Sequence, residues 1–116
     1  MTGDELTARL AAGGVALVDV RTRPEYDGES GYPCDPRQGH IDDAVLIELD
    51  EIMSAGREGV RDLLADRGVD PDGPVVLYCH SGSRSGIAAA ALHAAGIEAE
   101  NYEGSWHEWS RREAGV

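Results

Sequence analysis

Residues 75–86 have the sequence VVLYCHSGSRSG, in which an apolar run gives way to small and polar residues. The run 75–78 follows the turn-forming stretch DPDGP at 70–74 and predicts a strand. An alanine-rich helix is expected to begin near Ser83 and to end at Gly96. A strand, a short polar loop and a helix in this order form a unit that presents backbone N–H groups to an anion.

The same alternation of strands and helices extends along the whole chain. Further strands are predicted at 15–20, 44–47 and 99–102, further helices at 3–12, 57–67 and from Ser105 to about Glu113, and mainly loop at 22–40. This order predicts an α/β fold with a mostly parallel central sheet and helices on both faces. A length of 116 residues suits one hydrophobic core, so we expect residues 1–116 to form a single domain.

The chain is strongly acidic, with 10 Lys+Arg against 22 Asp+Glu and a formal net charge of -12. Such a charge repels nucleic acid and anionic lipid, and the sequence has no basic patch that would oppose it. No apolar run approaches the roughly 20 residues of a membrane span, and residues 1–5 lack the features of a signal peptide. We therefore expect a cytoplasmic protein with neither nucleic-acid nor membrane partners.

Of the two cysteines, Cys34 and Cys79, the second is the candidate for chemistry. It follows a predicted strand, and ligands of parallel sheets bind at the carboxyl ends of the strands. Loop N–H groups, the N-terminus of the next helix and Arg84 would all favour its thiolate. The alternative is a buried structural thiol, which would not need such a loop. A thiolate in an anion-binding loop fits either sulfane sulfur transfer through a persulfide or phosphoryl and arsenate chemistry through a cysteine adduct.

Several short motifs, taken in order, resemble those of rhodanese-like sulfurtransferase domains. They are YCHSGSRS at 78–85, DVR at 19–21, GHI at 39–41 and YEGSW at 102–106. The ending GSWHEW at 104–109 and the loop EYDGE at 25–29 are more narrowly similar to the C-terminal catalytic domain of two-domain thiosulfate and 3-mercaptopyruvate sulfurtransferases. The resemblance covers nearly the whole chain and implies a rhodanese-like domain.

The resemblance implies an enzyme that moves sulfur from a donor such as thiosulfate or 3-mercaptopyruvate to a thiol or cyanide through a Cys79 persulfide. A thioredoxin-like or other protein could be the acceptor, and no metal or organic cofactor is implied. Related phosphatases of the same fold have five residues between Cys and Arg, whereas four separate Cys79 from Arg84 here, which favours sulfur over phosphate. The alternatives are a phosphatase or arsenate reductase of this fold and a non-catalytic docking module with an acidic surface.

The candidate substrate-binding residues are His80, Ser81, Gly82, Ser83, Arg84, Ser85 and Arg37. Arg84 is expected to clamp an anion, the alternative being a pair with a nearby carboxylate. Ser81 and Ser83 could donate hydrogen bonds to the Cys79 sulfur or to the donor, with Ser81 favoured by the resemblance. His80 would face solvent at the rim. Arg37 is similar in position to an arginine that binds the substrate carboxylate in mercaptopyruvate-type enzymes.

Residues outside the loop are expected to be mainly structural. Asp19 would accept hydrogen bonds from loop N–H groups, and Arg21 would pair with Glu25 or another acid. Cys34 is either a resolving thiol for Cys79 or an unreactive exposed cysteine. The chain's acidity would have to be outweighed near the pocket by Arg21, Arg23, Arg37 and Arg84, since charges beyond about 8 Å are largely screened at physiological ionic strength.

Overall fold

A computed structural model of the chain describes residues 1–112. Its elements are α1 (Gly3–Ala12), β1 (Ala16–Asp19), α2 (Arg23–Tyr26), β2 (Val45–Leu46), α3 (Leu49–Asp66), β3 (Val75–Tyr78), α4 (Ser83–Ala94), β4 (Ala99–Asn101) and α5 (Ser105–Trp109). The four strands form one sheet in the order β2-β1-β3-β4, and all its pairings are parallel. The α/β fold with a parallel sheet is confirmed, and β3 is one of its two inner strands.

Helices cover both faces of this sheet because the strand side chains alternate between two buried clusters. On one face Leu77 of β3 packs with Leu64 of α3 and Leu92 of α4. On the other face Val76 of β3 packs with α1 and with Trp106 of α5. The predicted helix layers on both faces are therefore confirmed. In the part of the chain that the structure describes, no helix is long and apolar enough to cross a membrane.

The first helix matches its predicted bounds because both of its ends are encoded locally. The Thr2 hydroxyl accepts a hydrogen bond from the Glu5 N–H at 3.1 Å, and the Glu5 carboxylate accepts one from the Thr2 N–H at 3.0 Å. Gly13 ends the helix with a φ of 78°. The last helix ends at Trp109, and Glu113, near which its end was predicted, lies outside the described residues.

The strand ends agree with the sequence-based expectations within one residue, but two other segments differ from them. The third helix begins at Leu49 rather than near residue 57, because it continues across a kink at Gly56, whose φ is 69°. The predicted loop 22–40 contains the single-turn helix α2, at the start of which the Glu25 carboxylate accepts the Thr22 N–H at 3.1 Å. This turn fixes Glu25 in the loop that lies beside the carboxyl end of the sheet.

A fully buried ion pair links the end of β1 to the loop before β2. Asp19 and Arg21 have 0% and 1% exposed side chains, and Asp19 Oδ2 lies 2.7 Å from Arg21 Nη2. The guanidinium also donates to the Gly39 carbonyl and lies 5.1 Å from the centre of the Trp106 ring. The partner of Arg21 is thus Asp19 and not Glu25, and Asp19 accepts the N–H of Arg21 itself.

Candidate active site

Cys79 lies at the carboxyl end of β3, as predicted, and its side chain is 1% exposed. Two backbone contacts hold it in place, since its carbonyl accepts the Trp106 N–H at 2.9 Å and its own N–H donates to Ser105 Oγ at 3.1 Å. Gly82 closes the loop with a φ of 93°, and a Cβ atom there would lie 2.7 Å from the Glu103 carbonyl oxygen. Only glycine fits this turn without displacing the segment before α5.

Two groups contact the Cys79 sulfur directly. The N–H of Gly82 donates to Sγ at 3.1 Å, and the hydroxyl of Ser85 lies 3.3 Å from Sγ. The same hydroxyl lies 2.6 Å from Asn101 Oδ1, while Asn101 Nδ2 donates to the Gly82 carbonyl at 3.1 Å. A hydroxyl has one hydrogen, so Ser85 can donate to Asn101 or to the sulfur but not to both. The hydroxyl can therefore accept a hydrogen bond from the protonated thiol or donate its own hydrogen to the thiolate.

These contacts determine the direction in which the pKa of Cys79 moves. Burial by itself would raise the pKa of this thiol. The Ser85 hydroxyl and the backbone N–H groups of Ser85, Gly82 and Ser81 stabilise the thiolate, outweigh burial and lower the pKa below the usual value. The lowered pKa agrees with the expected thiolate, but the stabilising groups are mainly hydrogen-bond donors of the loop and of the first turn of α4.

Arg84 forms an ion pair with a carboxylate of α2. Such a pair was the alternative to an anion-binding role for Arg84. Its two terminal nitrogens lie 2.9 Å and 3.1 Å from the two Glu25 carboxylate oxygens. The side chain is nevertheless 31% exposed, and it lines a cleft of about 330 Å³ together with Tyr32 of the loop between α2 and β2. The guanidinium is therefore oriented by Glu25 while part of it faces open space.

The other predicted binding residues have varied surroundings. The His80 side chain, expected at the solvent-facing rim, is only 12% exposed and stacks on Tyr32 with ring centres 3.6 Å apart. Ser81 and Ser83 are exposed, and within residues 1–112 neither hydroxyl makes a hydrogen bond to the Cys79 sulfur. The hydroxyl at the sulfur is that of Ser85, which is fully buried in the first turn of α4.

The Arg37 side chain binds the end of α5 and forms no hydrogen bond with the Cys79 loop within residues 1–112. Its guanidinium donates to the carbonyls of Trp109 at 2.9 Å, Ser110 at 3.2 Å and Arg112 at 3.1 Å. These are carbonyls left without helical partners where α5 ends. Asn101 was not expected at the site from the sequence, although a polar residue ending the strand beside β3 was a usable signal.

Comparison with known proteins decides the family. The model of the rhodanese-like domain family matches residues 2–112. The chain belongs to this family. A probable 3-mercaptopyruvate sulfurtransferase of Pseudomonas aeruginosa is 37% identical over 114 residues, which cover 90% of this chain and 39% of that protein.

The solved structures that are similar to this rhodanese-like domain include two sulfurtransferases. A crystal structure of a probable thiosulfate sulfurtransferase has a TM-score of 0.79 at 38% identity and covers 96% of this chain and 44% of its own. The human single-domain sulfurtransferase TSTD1 has a TM-score of 0.76 at 27% identity and covers 98% of this chain and 96% of its own. The chain thus spans less than half of the first two proteins and nearly all of the third.

Removing the Ser85 hydroxyl should slow the reaction of Cys79 in this rhodanese-like domain. In Ser85→Ala the thiolate loses a hydrogen bond of about 1.5 kcal/mol, so alkylation of Cys79 at neutral pH should slow about tenfold. The pKa of Cys79 rises, and the acid limb of its pH–rate profile moves to higher pH. The measurement is the alkylation rate of the Cys79 peptide by mass spectrometry as a function of pH.

Ser110→Ala is the matched control for that variant. Ser110 is also a buried serine, 3% exposed, but its hydroxyl contacts the His107 carbonyl at 3.4 Å. Its alkylation profile should coincide with that of the wild type. Equal profiles for Ser85→Ala and the wild type would show that the backbone N–H groups alone stabilise the thiolate.

Neutralising Glu25 should destabilise the rhodanese-like domain near neutral pH. Burial raises the pKa of the Glu25 carboxyl, but hydrogen bonds from Arg84 and Thr22 and the charge of Arg84 lower it from 4.5 to about 2. A lowered pKa contributes stability that is present above 4.5 and is lost as the pH falls through about 2. Because Arg84 is partly exposed, Glu25→Gln should cost about 1–2 kcal/mol at pH 7.

Denaturant unfolding at several pH values measures this contribution. The difference between wild type and Glu25→Gln should shrink as the pH is lowered from about 6 to about 2. Asp27→Asn is the control, because Asp27 forms an exposed pair with Arg23 at 3.7 Å and should change the free energy of unfolding by less than about 1 kcal/mol. A Glu25→Gln difference that does not depend on pH would contradict the lowered pKa.

Proposed function

We propose that this rhodanese-like domain transfers sulfane sulfur from a donor such as thiosulfate or 3-mercaptopyruvate to a thiol or cyanide acceptor through a persulfide on Cys79. One observation carries the proposal. At the start of α4, the Cys79 sulfur accepts a hydrogen bond from the Gly82 N–H and contacts the Ser85 hydroxyl. The names of the similar proteins, a probable 3-mercaptopyruvate sulfurtransferase and a probable thiosulfate sulfurtransferase, support the same chemistry.

In the first half-reaction the Cys79 thiolate attacks the donor's transferable sulfur. With thiosulfate, a bond forms between Cys79 Sγ and the outer sulfur, the S–S bond of the donor breaks, and sulfite leaves with the electron pair. With 3-mercaptopyruvate the C–S bond breaks instead, and the pyruvate enolate takes up the proton of the transferred thiol. In both cases Cys79 carries one additional sulfur atom with a negative charge.

The second half-reaction returns Cys79 to its starting state. A thiolate or cyanide acceptor attacks the outer sulfur of the persulfide, the S–S bond breaks, and its electron pair returns to Cys79 Sγ. Cyanide then leaves as thiocyanate and a thiol leaves as its own persulfide. A thioredoxin-like or other protein with an exposed thiol could take the place of a small thiol.

The site's charge balance supports an anionic donor in spite of the acidic chain. Arg21 and Arg37 are committed to Asp19 and to the end of α5, so neither is placed to attract the donor. The backbone N–H groups of the loop and the N-terminus of the 12-residue helix α4 remain as anion-binding groups. We place the anionic end of the donor in the cleft lined by Arg84. The pKa of Arg84 is raised first by the hydrogen bond that it donates to Glu25 and also by the Cys79 charge.

Product assays with four substrates test the proposal. Purified reduced protein is given thiosulfate with cyanide, 3-mercaptopyruvate with a thiol, an aryl phosphate, and arsenate with a thiol. We expect thiocyanate or pyruvate to form in proportion to the protein added, and no phosphate or arsenite above background. Phosphate or arsenite formation that depends on Cys79, without sulfur transfer, would replace the proposal with the phosphatase or reductase alternative. No reaction in any assay would favour the docking module.

A further inference from the structure

Four side chains with metal-binding atoms meet beside the active-site loop. They are Cys34, Asp35, His80 and His107, which we call the Cys34 cluster, and one ligand atom of each lies within 4.8 Å of the others. Three separate segments supply them: the loop before β2, the residue after Cys79, and α5. No step of the proposed sulfur transfer uses this cluster.

Two atoms of the Cys34 cluster are buried without a satisfactory partner. Asp35 Oδ2 and His80 Nε2 lie 3.0 Å apart, yet they do not meet in hydrogen-bond geometry, and neither has another hydrogen-bond partner within residues 1–112. The Asp35 side chain is 0% exposed, so solvent does not compensate. Leaving a carboxylate oxygen and a ring nitrogen unpaired is costly, and a cation bound to both would remove that cost.

The other carboxylate oxygen of Asp35 already has a partner. Asp35 Oδ1 accepts a hydrogen bond from Arg111 Nη1 at 2.9 Å, and Arg111 also donates to the Cys34 carbonyl at 2.9 Å. This arrangement resembles the outer partners that orient carboxylate ligands in metal sites. The same Arg111 nitrogen lies 3.2 Å from His107 Nδ1, and the His107 side chain, which is 50% exposed, can turn to present a ring nitrogen to the ion while Arg111 stays on Asp35.

We propose that the Cys34 cluster binds one divalent transition-metal ion of the Zn²⁺ type. Its ligands are Cys34 Sγ, Asp35 Oδ2, His80 Nε2 and a ring nitrogen of His107. A thiolate with two imidazoles selects Zn²⁺ over Mg²⁺ or Ca²⁺, which prefer oxygen. Tetrahedral coordination at about 2.0–2.3 Å needs ligand atoms about 3.3–3.8 Å apart. The exposed Cys34 and the half-exposed His107 can move inward by the remaining distance.

The charges also suit a divalent ion. A Cys34 thiolate and the Asp35 carboxylate supply two negative charges to the ion, and the two histidines bind as neutral rings. The positive charge of Arg111 lies on the other Asp35 oxygen and is partly exposed to solvent. Because His80 directly follows Cys79, the bound ion would fix the active-site loop against the loop that carries Cys34 and Tyr32. The ion would also occupy Cys34, which could then no longer act as a resolving thiol for Cys79.

Metal titration of the reduced, chelator-treated protein tests the site. Zn²⁺ is added in competition with a chromogenic chelator, and Co²⁺ is used to observe thiolate coordination by its charge-transfer absorption. We expect one ion per chain and a Co²⁺–thiolate band. Cys34→Ser should abolish that band, and both Cys34→Ser and His107→Ala should weaken Zn²⁺ binding by at least about tenfold.

Cys79→Ser is the matched control because Cys79 is the other thiol of the chain and lies outside the Cys34 cluster. It should keep both the Co²⁺ band and the Zn²⁺ affinity. Loss of binding in Cys79→Ser but not in Cys34→Ser would overturn the proposal and place the ion on the catalytic thiolate. The absence of saturable binding to the wild type would also overturn it and leave the cluster as an ion-pair network around Asp35. Circular dichroism of each metal-free variant excludes unfolding as the cause.

Discussion

Cys79→Ser should lower the rate of sulfur transfer by at least about a thousandfold, because a serine hydroxyl at neutral pH is neither ionised nor able to form a persulfide. The fold should survive the change. The serine oxygen can accept the Gly82 N–H that now donates to the sulfur at 3.1 Å, and the backbone contacts of residue 79 to Trp106 and Ser105 do not involve the side chain. Thiocyanate formation from thiosulfate and cyanide is the measurement.

Cys34→Ser is the control that separates the nucleophile from the other thiol. Cys34 is exposed, and its sulfur contacts Asp35 Oδ1 at 3.9 Å, so we expect its loss to leave the rate of metal-free protein within about twofold of the wild type. A similar loss of activity in both cysteine variants would make Cys34 a participant in the reaction. Retention of activity in Cys79→Ser would remove Cys79 from the reaction.

Asp19→Ala should destabilise the domain by about 3–5 kcal/mol, a large part of the 5–15 kcal/mol that holds a typical domain folded. The substitution leaves the Arg21 guanidinium buried between the Tyr78 and Trp106 rings without its carboxylate, at distances of 5.6 Å and 5.1 Å from the ring centres. The Gly39 carbonyl remains a partner of Arg21 but carries no full charge. Denaturant unfolding at pH 7 measures the loss.

Arg9→Ala provides the comparison, because Arg9 pairs with Glu100 at 2.8 Å, almost the distance of the buried pair. The Arg9 and Glu100 side chains are 35% and 49% exposed, so their pair should contribute less than about 1 kcal/mol. Burial and not distance then explains the difference between the two variants. Equal losses of stability would contradict the role assigned to the buried pair.

The sequence predicts those features of the fold that depend on neighbouring residues. Thr2 and Glu5 form a capping box within one turn, so the start of α1 is determined locally. The strand 75–78 is flanked by a dense turn signal and by the polar loop, and it agrees with the structure at both ends. The beginning of α3 was missed because Gly56 interrupts the helical geometry between Leu49 and the residues whose periodicity was recognised.

Contacts between distant segments explain what the sequence did not predict at the site. Glu25 is 59 positions from Arg84, and no local pattern indicates that α2 would bring the two together. His80 is covered because Tyr32 and Asp35 of a distant loop pack against it. Ser85 rather than Ser81 places its hydroxyl at the Cys79 sulfur because the tight turn at Gly82 directs the first turn of α4 toward the sulfur.

The intact mass of the protein after reaction with a donor tests the central claim most directly. Reduced protein is incubated with thiosulfate or with 3-mercaptopyruvate in the absence of an acceptor. The donor is then removed, and the intact masses of the wild type and of Cys79→Ser are measured by mass spectrometry. The account predicts that the wild type gains one sulfur atom, that Cys79→Ser gains none, and that cyanide removes the sulfur as thiocyanate. A wild type that gains no sulfur from either donor, or a Cys79→Ser variant that gains it equally, would contradict the account.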